Sequence, residues 1–102
     1  WLCRRRRRCR VVGPSMLPLL TNEDEVLVDL QAYRYKPPLI GHIVIAHHPT
    51  QSGQRIIKRI KGMEEDGRYR LQGDNPDVTR NSCVVVPLLL ILGRVTSCFA
   101  AS

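Results

Sequence analysis

The apolar positions of this chain come in short bursts of strand length, separated by polar turns and proline-rich connections. Glu25-Val26-Leu27-Val28-Asp29 predicts a short strand after a polar turn over Asn22–Glu25. His42-Ile43-Val44-Ile45-Ala46 is β-branched and apolar, which predicts a buried strand closed by His47, His48 and Pro49. In Arg55-Ile56-Ile57-Lys58-Arg59-Ile60-Lys61, alternation puts Ile56, Lys58 and Ile60 on one face and the remaining charges on the other. Glu64-Glu65-Asp66-Gly67 reads as a hairpin turn, with Arg68–Gln72 as the returning strand. Val84–Leu92 is apolar but broken at Pro87, and Gly93–Ser97 reads as a closing strand. Loops are expected at Gly13–Pro18, across Pro37-Pro38, and at Gly73–Asp77. The expected fold is mainly β: a folded, barrel-like sheet with long functional loops.

Composition supports this reading and then narrows it. With 102 residues the chain has room for one domain, and with 5% aromatics its core must come from Val, Ile and Leu. The net charge of +7 is local, because Arg4–Arg8 and Arg10 supply six of the 16 basic residues. The rest of the chain, from Val11 onward, is nearly neutral. The expected division is a basic arm over 1–10 and a single domain over 11–102. The arm reads as a solvated tail or as a peripheral contact with anionic lipid or another acidic surface. No aromatic or recognition-helix pattern accompanies it, which argues against specific nucleic-acid binding.

Cys3, Cys9, Cys83 and Cys98 fit no zinc spacing, and neither metal nor cofactor is expected. Reduced thiols point to the cytosol. No apolar run approaches the roughly 20 residues of a membrane span. The expectation is therefore a cytoplasmic protein, peripheral at a membrane at most, and anchored only if residues precede Trp1.

The candidate chemistry is nucleophilic. Gly13-Pro14-Ser15-Met16-Leu17-Pro18 holds one serine between rigid neighbours. A serine hydroxyl needs a base, and a lysine serves only when its amine is neutral. Burial among apolar groups disfavours the ammonium form, and Lys58, between Ile56 and Ile60, is the position that offers it. A histidine base is the alternative, although the three histidines read better as strand-end residues.

The segment around Ser15 resembles the nucleophile box of type I signal peptidases. Ile57-Lys58-Arg59-Ile60 resembles their general-base box, and Gly73-Asp74-Asn75 their Gly-Asp-Asn loop, in the family's order. Glu25–Asp29, Ala32-Tyr33-Arg34, Ala46–Pro49, Gly73–Pro76 and Leu92–Ser97 look like a small soluble branch, the nickel-type superoxide dismutase maturation proteases. The resemblance implies Ser15 as nucleophile and Lys58 as base. It also implies Thr79, Asp74 and Asn75 as dyad-orienting residues. With Gly13 where relatives can carry a hydroxyl, the oxyanion hole falls to backbone N–H groups, including that of Ser15. Asn81-Ser82-Cys83 stands where the family usually has Asp-Ser-Arg, so an acidic–basic pair is missing.

The implied activity is serine endopeptidase cleavage of a protein substrate, the nickel superoxide dismutase precursor, by removal of its N-terminal propeptide. The competing readings are a minimal type I signal peptidase acting on exported proteins and a LexA-like self-cleaving domain with Ala100-Ala101 as its best scissile pair. Outside the enzymes stands a non-catalytic, basic-armed binding module.

Overall fold

A computed structural model describes residues 6–10, 24–75 and 83–99, with side chains for 8–9, 24–75 and 83–97. The expected strands form, and one more joins them. β1 (Arg6–Arg10), β2 (Glu25–Asp29), β3 (Ile43–His47), β4 (Arg55–Met63), β5 (Tyr69–Gln72), β6 (Val84–Val86) and β7 (Ile91–Phe99) make one sheet. Every pairing is antiparallel, in the order β1-β2-β7-β3-β4-β5-β6. The apolar run that breaks at Pro87 becomes β6, a 3-10 turn over Leu88–Leu90, and the first residues of β7. Proline supplies no ladder N–H, so the run cannot continue as one strand.

The basic run departs from the solvated tail expected of the arm. Arg6–Arg10 pairs along its length with β2, Arg6 opposite Asp29 and Arg10 opposite Glu25. Alternation explains how so polar a strand is accepted, because Cys9 packs against the Val26–Val28 cluster while Arg8 stays exposed. The Arg8–Glu25 contact at 3.2 Å joins two solvent-facing groups and contributes at most about 1 kcal/mol. The ladder with β2 and the packing of Cys9 hold β1 in place. An edge strand rich in arginine also discourages pairing with further chains.

Apolar clusters form on both faces of the sheet because the central strands alternate between them. Val26, Val28 and Ile45 make one, with Ile43, Ile57, Leu92 and Val95 packed against it. Val44, Ala46, Ile60, Tyr69, Leu71 and Val86 make the other, with Ile56 and Val84 beside it. The face of β4 expected to carry only charge beside Ile57 is therefore part core. Ladder irregularities at Leu27/Val28, Ile45/Ala46 and Ile60/Gly62 bend the strands and let the sheet fold over both clusters.

Two turns have legible causes. At the β4–β5 hairpin Gly67 adopts φ 89°, and Asp66 accepts hydrogen bonds from Arg68 N (3.0 Å) and Nε (2.7 Å). After β3, the His48 Nδ1 accepts the N–H groups of Thr50 and Gln51, each at 3.1 Å. That is the strand-end role expected of this histidine.

Gly93 lies at a close approach between β7 and the end of β2. A Cβ there would lie 2.6 Å from the Asp29 carbonyl oxygen and 2.7 Å from Val28 Cγ1. Gly93→Ala should destabilise the protein by about 1–3 kcal/mol through overpacking. A thermal melt should then fall by roughly 4–8 °C per kcal/mol. An unchanged melting temperature would mean that the two strands can separate freely at this point.

Candidate active site

Lys58 enters the site through the register of β4. It sits opposite Val44, which is fully buried, and two residues before Ile60, which is 1% exposed. Only 7% of Lys58 itself is exposed, an unusual state for a lysine. Burial pushes its ammonium group below the ordinary lysine value, and the nearby Cys83 thiol works weakly in the other direction. This is the inward alternation that the isoleucine spacing predicts.

The next residue, Arg59, points to the opposite face and performs a task that the residue pattern alone does not assign to it. Its Nε and Nη2 donate to the two Asp74 carboxylate oxygens at 2.9 and 2.7 Å, and its Nη1 donates to the Gly41 carbonyl at 2.8 Å. Lys61 Nζ lies 3.9 Å from the same carboxylate. The fork of hydrogen bonds from Arg59 holds the Asp74 carboxyl below its usual range, against the opposing effect of burial. The loop carrying Asp74 and the buried Asn75 is thereby fastened to the strand that carries Lys58.

A second polar pair lies beside the Val44 cluster. Tyr33 O–H donates to His42 Nδ1 at 2.9 Å, and the rings stack with centroids 5.8 Å apart. Burial and the neighbouring Arg94 cation lower the His42 pKa, which leaves a neutral imidazole able to accept that proton. Burial raises the Tyr33 phenol to about 12. His42 and His48 thus have their Nδ1 atoms engaged in local structure.

Ser15, Thr79 and Asn81 lie outside the described residues. Cys83 is exposed and immediately precedes β6. Among the described residues no three His, Cys, Asp or Glu side chains gather as a metal-binding group. No described helix is long and apolar enough to cross a membrane. A cleft of about 250 Å³ bordered by Leu30, Tyr33, Leu88 and Ile91 contains none of the candidate site residues.

Comparison with known proteins places this geometry. The family described as signal peptidase, peptidase S26, matches residues 6–68, from the first residue of β1 to the β4–β5 turn. The chain belongs to that family. The matched span includes Ser15, Lys58 and Arg59 and stops short of the Asp74 loop. Mitochondrial inner membrane protease subunit 1 from Xenopus tropicalis is 31% identical over 81% of this chain and 62% of its own length. The Homo sapiens protein of the same name is 31% identical over 81% of this chain and 63% of its own. Probable signal peptidase I-1 from Synechocystis is 33% identical over 49% of this chain and 29% of its own. The chain thus spans about three fifths of the inner membrane protease relatives. No solved structure matches it.

Proposed function

We propose that this signal peptidase family member is a serine endopeptidase with a Ser15–Lys58 dyad, and that it removes the N-terminal propeptide of a nickel superoxide dismutase precursor. The observation that carries the catalytic part is Lys58, a lysine buried among isoleucine and valine whose amine is pushed toward its neutral form. In the proposed reaction the neutral Lys58 amine takes the Ser15 proton as Oγ attacks the scissile carbonyl. Backbone N–H groups, including that of Ser15, stabilise the oxyanion. The Lys58 ammonium then returns its proton to the departing amine, and the same lysine activates the water that releases the acyl group from Ser15. Thr79 is assigned to orienting the lysine. Asp74 and Asn75 are assigned to bracing the loop, a role that the Arg59 clamp supports.

The substrate rests on the likeness of Ala32–Arg34, Ala46–Pro49 and Leu92–Ser97 to the maturation proteases. A second reading, a minimal signal peptidase acting on exported proteins, is favoured by the names of the relatives, an inner membrane protease and a signal peptidase. Co-expression separates the two. A nickel superoxide dismutase precursor should acquire a new N-terminal histidine, read by mass spectrometry, with the wild-type chain and not with Ser15→Ala. An uncut precursor, beside a cleaved signal-peptide-bearing protein, would overturn the first reading in favour of the second.

A further inference from the structure

Leucines stand in water at one end of the sheet. The 3-10 turn Leu88–Leu90 between β6 and β7 contains no buried residue, and Leu88 is 47% and Leu89 84% exposed. The turn borders a cleft whose other walls include Leu30, Tyr33, Arg34 and Ile91. Leu30 follows β2 directly and Ile91 opens β7, so the pairing of these two strands brings the tyrosine loop and the leucine turn together. Tyr35, beside Arg34 in the chain, is 86% exposed, with the Arg34 guanidinium 5.5 Å from its ring centroid. Single exposed apolar residues are ordinary, but a leucine turn and a tyrosine loop that share one cleft make a patch.

The patch is also basic. Arg34 and Lys36 are exposed, and neither 30–42 nor 83–97 contains an Asp or Glu. Asp29, at the end of β2, is 1% exposed and accepts the Gln31 N–H at 3.0 Å, so its carboxylate gives this surface little negative charge. Arg6 lies opposite Asp29 in the ladder, which starts the basic strand at the same end of the sheet.

We propose that this face docks on a membrane and that its partner is anionic phospholipid. Leu88, Leu89 and Tyr35 enter the boundary between headgroups and acyl chains, while Arg34 and Lys36 meet the lipid phosphates. Apolar area and positive charge on one surface are the two terms that hold a protein to an anionic interface. Tyrosine suits that boundary, with an apolar ring and a hydroxyl that stays among the headgroups. A soluble peptide fits less well. Leu89 and Tyr35, the most exposed of these side chains, are not walls of the cleft, so a ligand seated in it would leave them in water. A bilayer surface covers the rim and the cleft together. None of these residues belongs to the proposed dyad, and lipid binding is read without cleavage.

The test is co-sedimentation of the full chain with vesicles of phosphatidylcholine and phosphatidylglycerol in equal parts, beside vesicles of phosphatidylcholine alone. The anionic vesicles should bind the protein more tightly, and added salt should narrow the difference. Leu88→Ser with Leu89→Ser should weaken binding by about tenfold or more at every salt concentration. Arg34→Gln with Lys36→Gln should weaken it by about tenfold at low salt and little at high salt. Leu89→Trp in a Trp1→Phe background keeps the apolar character, and its fluorescence should shift to the blue on anionic vesicles. Protein that stays in solution beside anionic vesicles at low salt would overturn the proposal. So would undiminished binding by the leucine variant, which would leave the lipid to the arginine run alone, or an unmoved emission from the tryptophan at this turn. A dimer that forms without vesicles and is lost in the leucine variant would assign the face to a second copy of the chain instead.

Discussion

Lys58→Met should abolish cleavage and, in the same protein, raise the melting temperature at neutral pH. Removing one member of a unit that transfers a single proton is expected to cost on the order of 10³-fold or more in rate. Ser15→Ala should do the same, and the double variant should be no worse than either single one. The stability gain comes from the sign of the Lys58 shift. Burial lowers its pKa in the fold. Between that lowered value and the ordinary lysine value of about 10.4, the unfolded chain therefore binds more protons than the folded one. Wild-type stability should rise with pH through this window, and below it the full cost of burying the ammonium remains. Methionine has nearly the same shape and no charge, so its advantage should be greatest at neutral pH and shrink toward pH 10. Melting curves across that range check it. Substantial cleavage by Lys58→Met would point to a histidine base.

Breaking the Arg59–Asp74 clamp should have the next largest effect. Arg59→Met would leave the Asp74 carboxylate, 16% exposed, without its two short hydrogen bonds. Charge-assisted bonds of this kind are worth about 1.5–3 kcal/mol of stability. The rate should fall by roughly 100-fold, because the freed loop is continuous with Thr79 and borders the base strand. Arg59→Lys should recover only part of either, since an ammonium cannot reproduce the two-pronged contact. The pH dependence distinguishes the clamp from generic damage. A carboxyl held below its ordinary value contributes stability that is present above about pH 3.9 and lost as pH falls through the lowered folded value. Acid unfolding of the wild type should therefore show a component absent from Arg59→Met. Identical acid limbs in the two proteins would show that the clamp adds nothing.

β3 was legible as a β-branched apolar run buried on both faces, and β4 because its apolar residues alternate with a period of two. Lys58 was legible for the same reason, as the one cation in phase with Ile56 and Ile60. β1 was not, because a run of arginines carries no apolar period. Cys9, which packs against the core, is too little to betray a strand, and the ladder that holds β1 belongs to β2. The Arg59 clamp was hidden by sequence distance, with 15 residues separating it from Asp74.

The most direct test of the central claim is to titrate the Lys58 amine itself in isotope-labelled protein and to compare its midpoint with the rising limb of kcat/KM for peptide cleavage. The two should coincide, well below the ordinary lysine value, and Ser15→Ala should keep the titration while losing the cleavage. A Lys58 midpoint at the value of free lysine, with cleavage rising at a different pH, would contradict the assignment of Lys58 as the base.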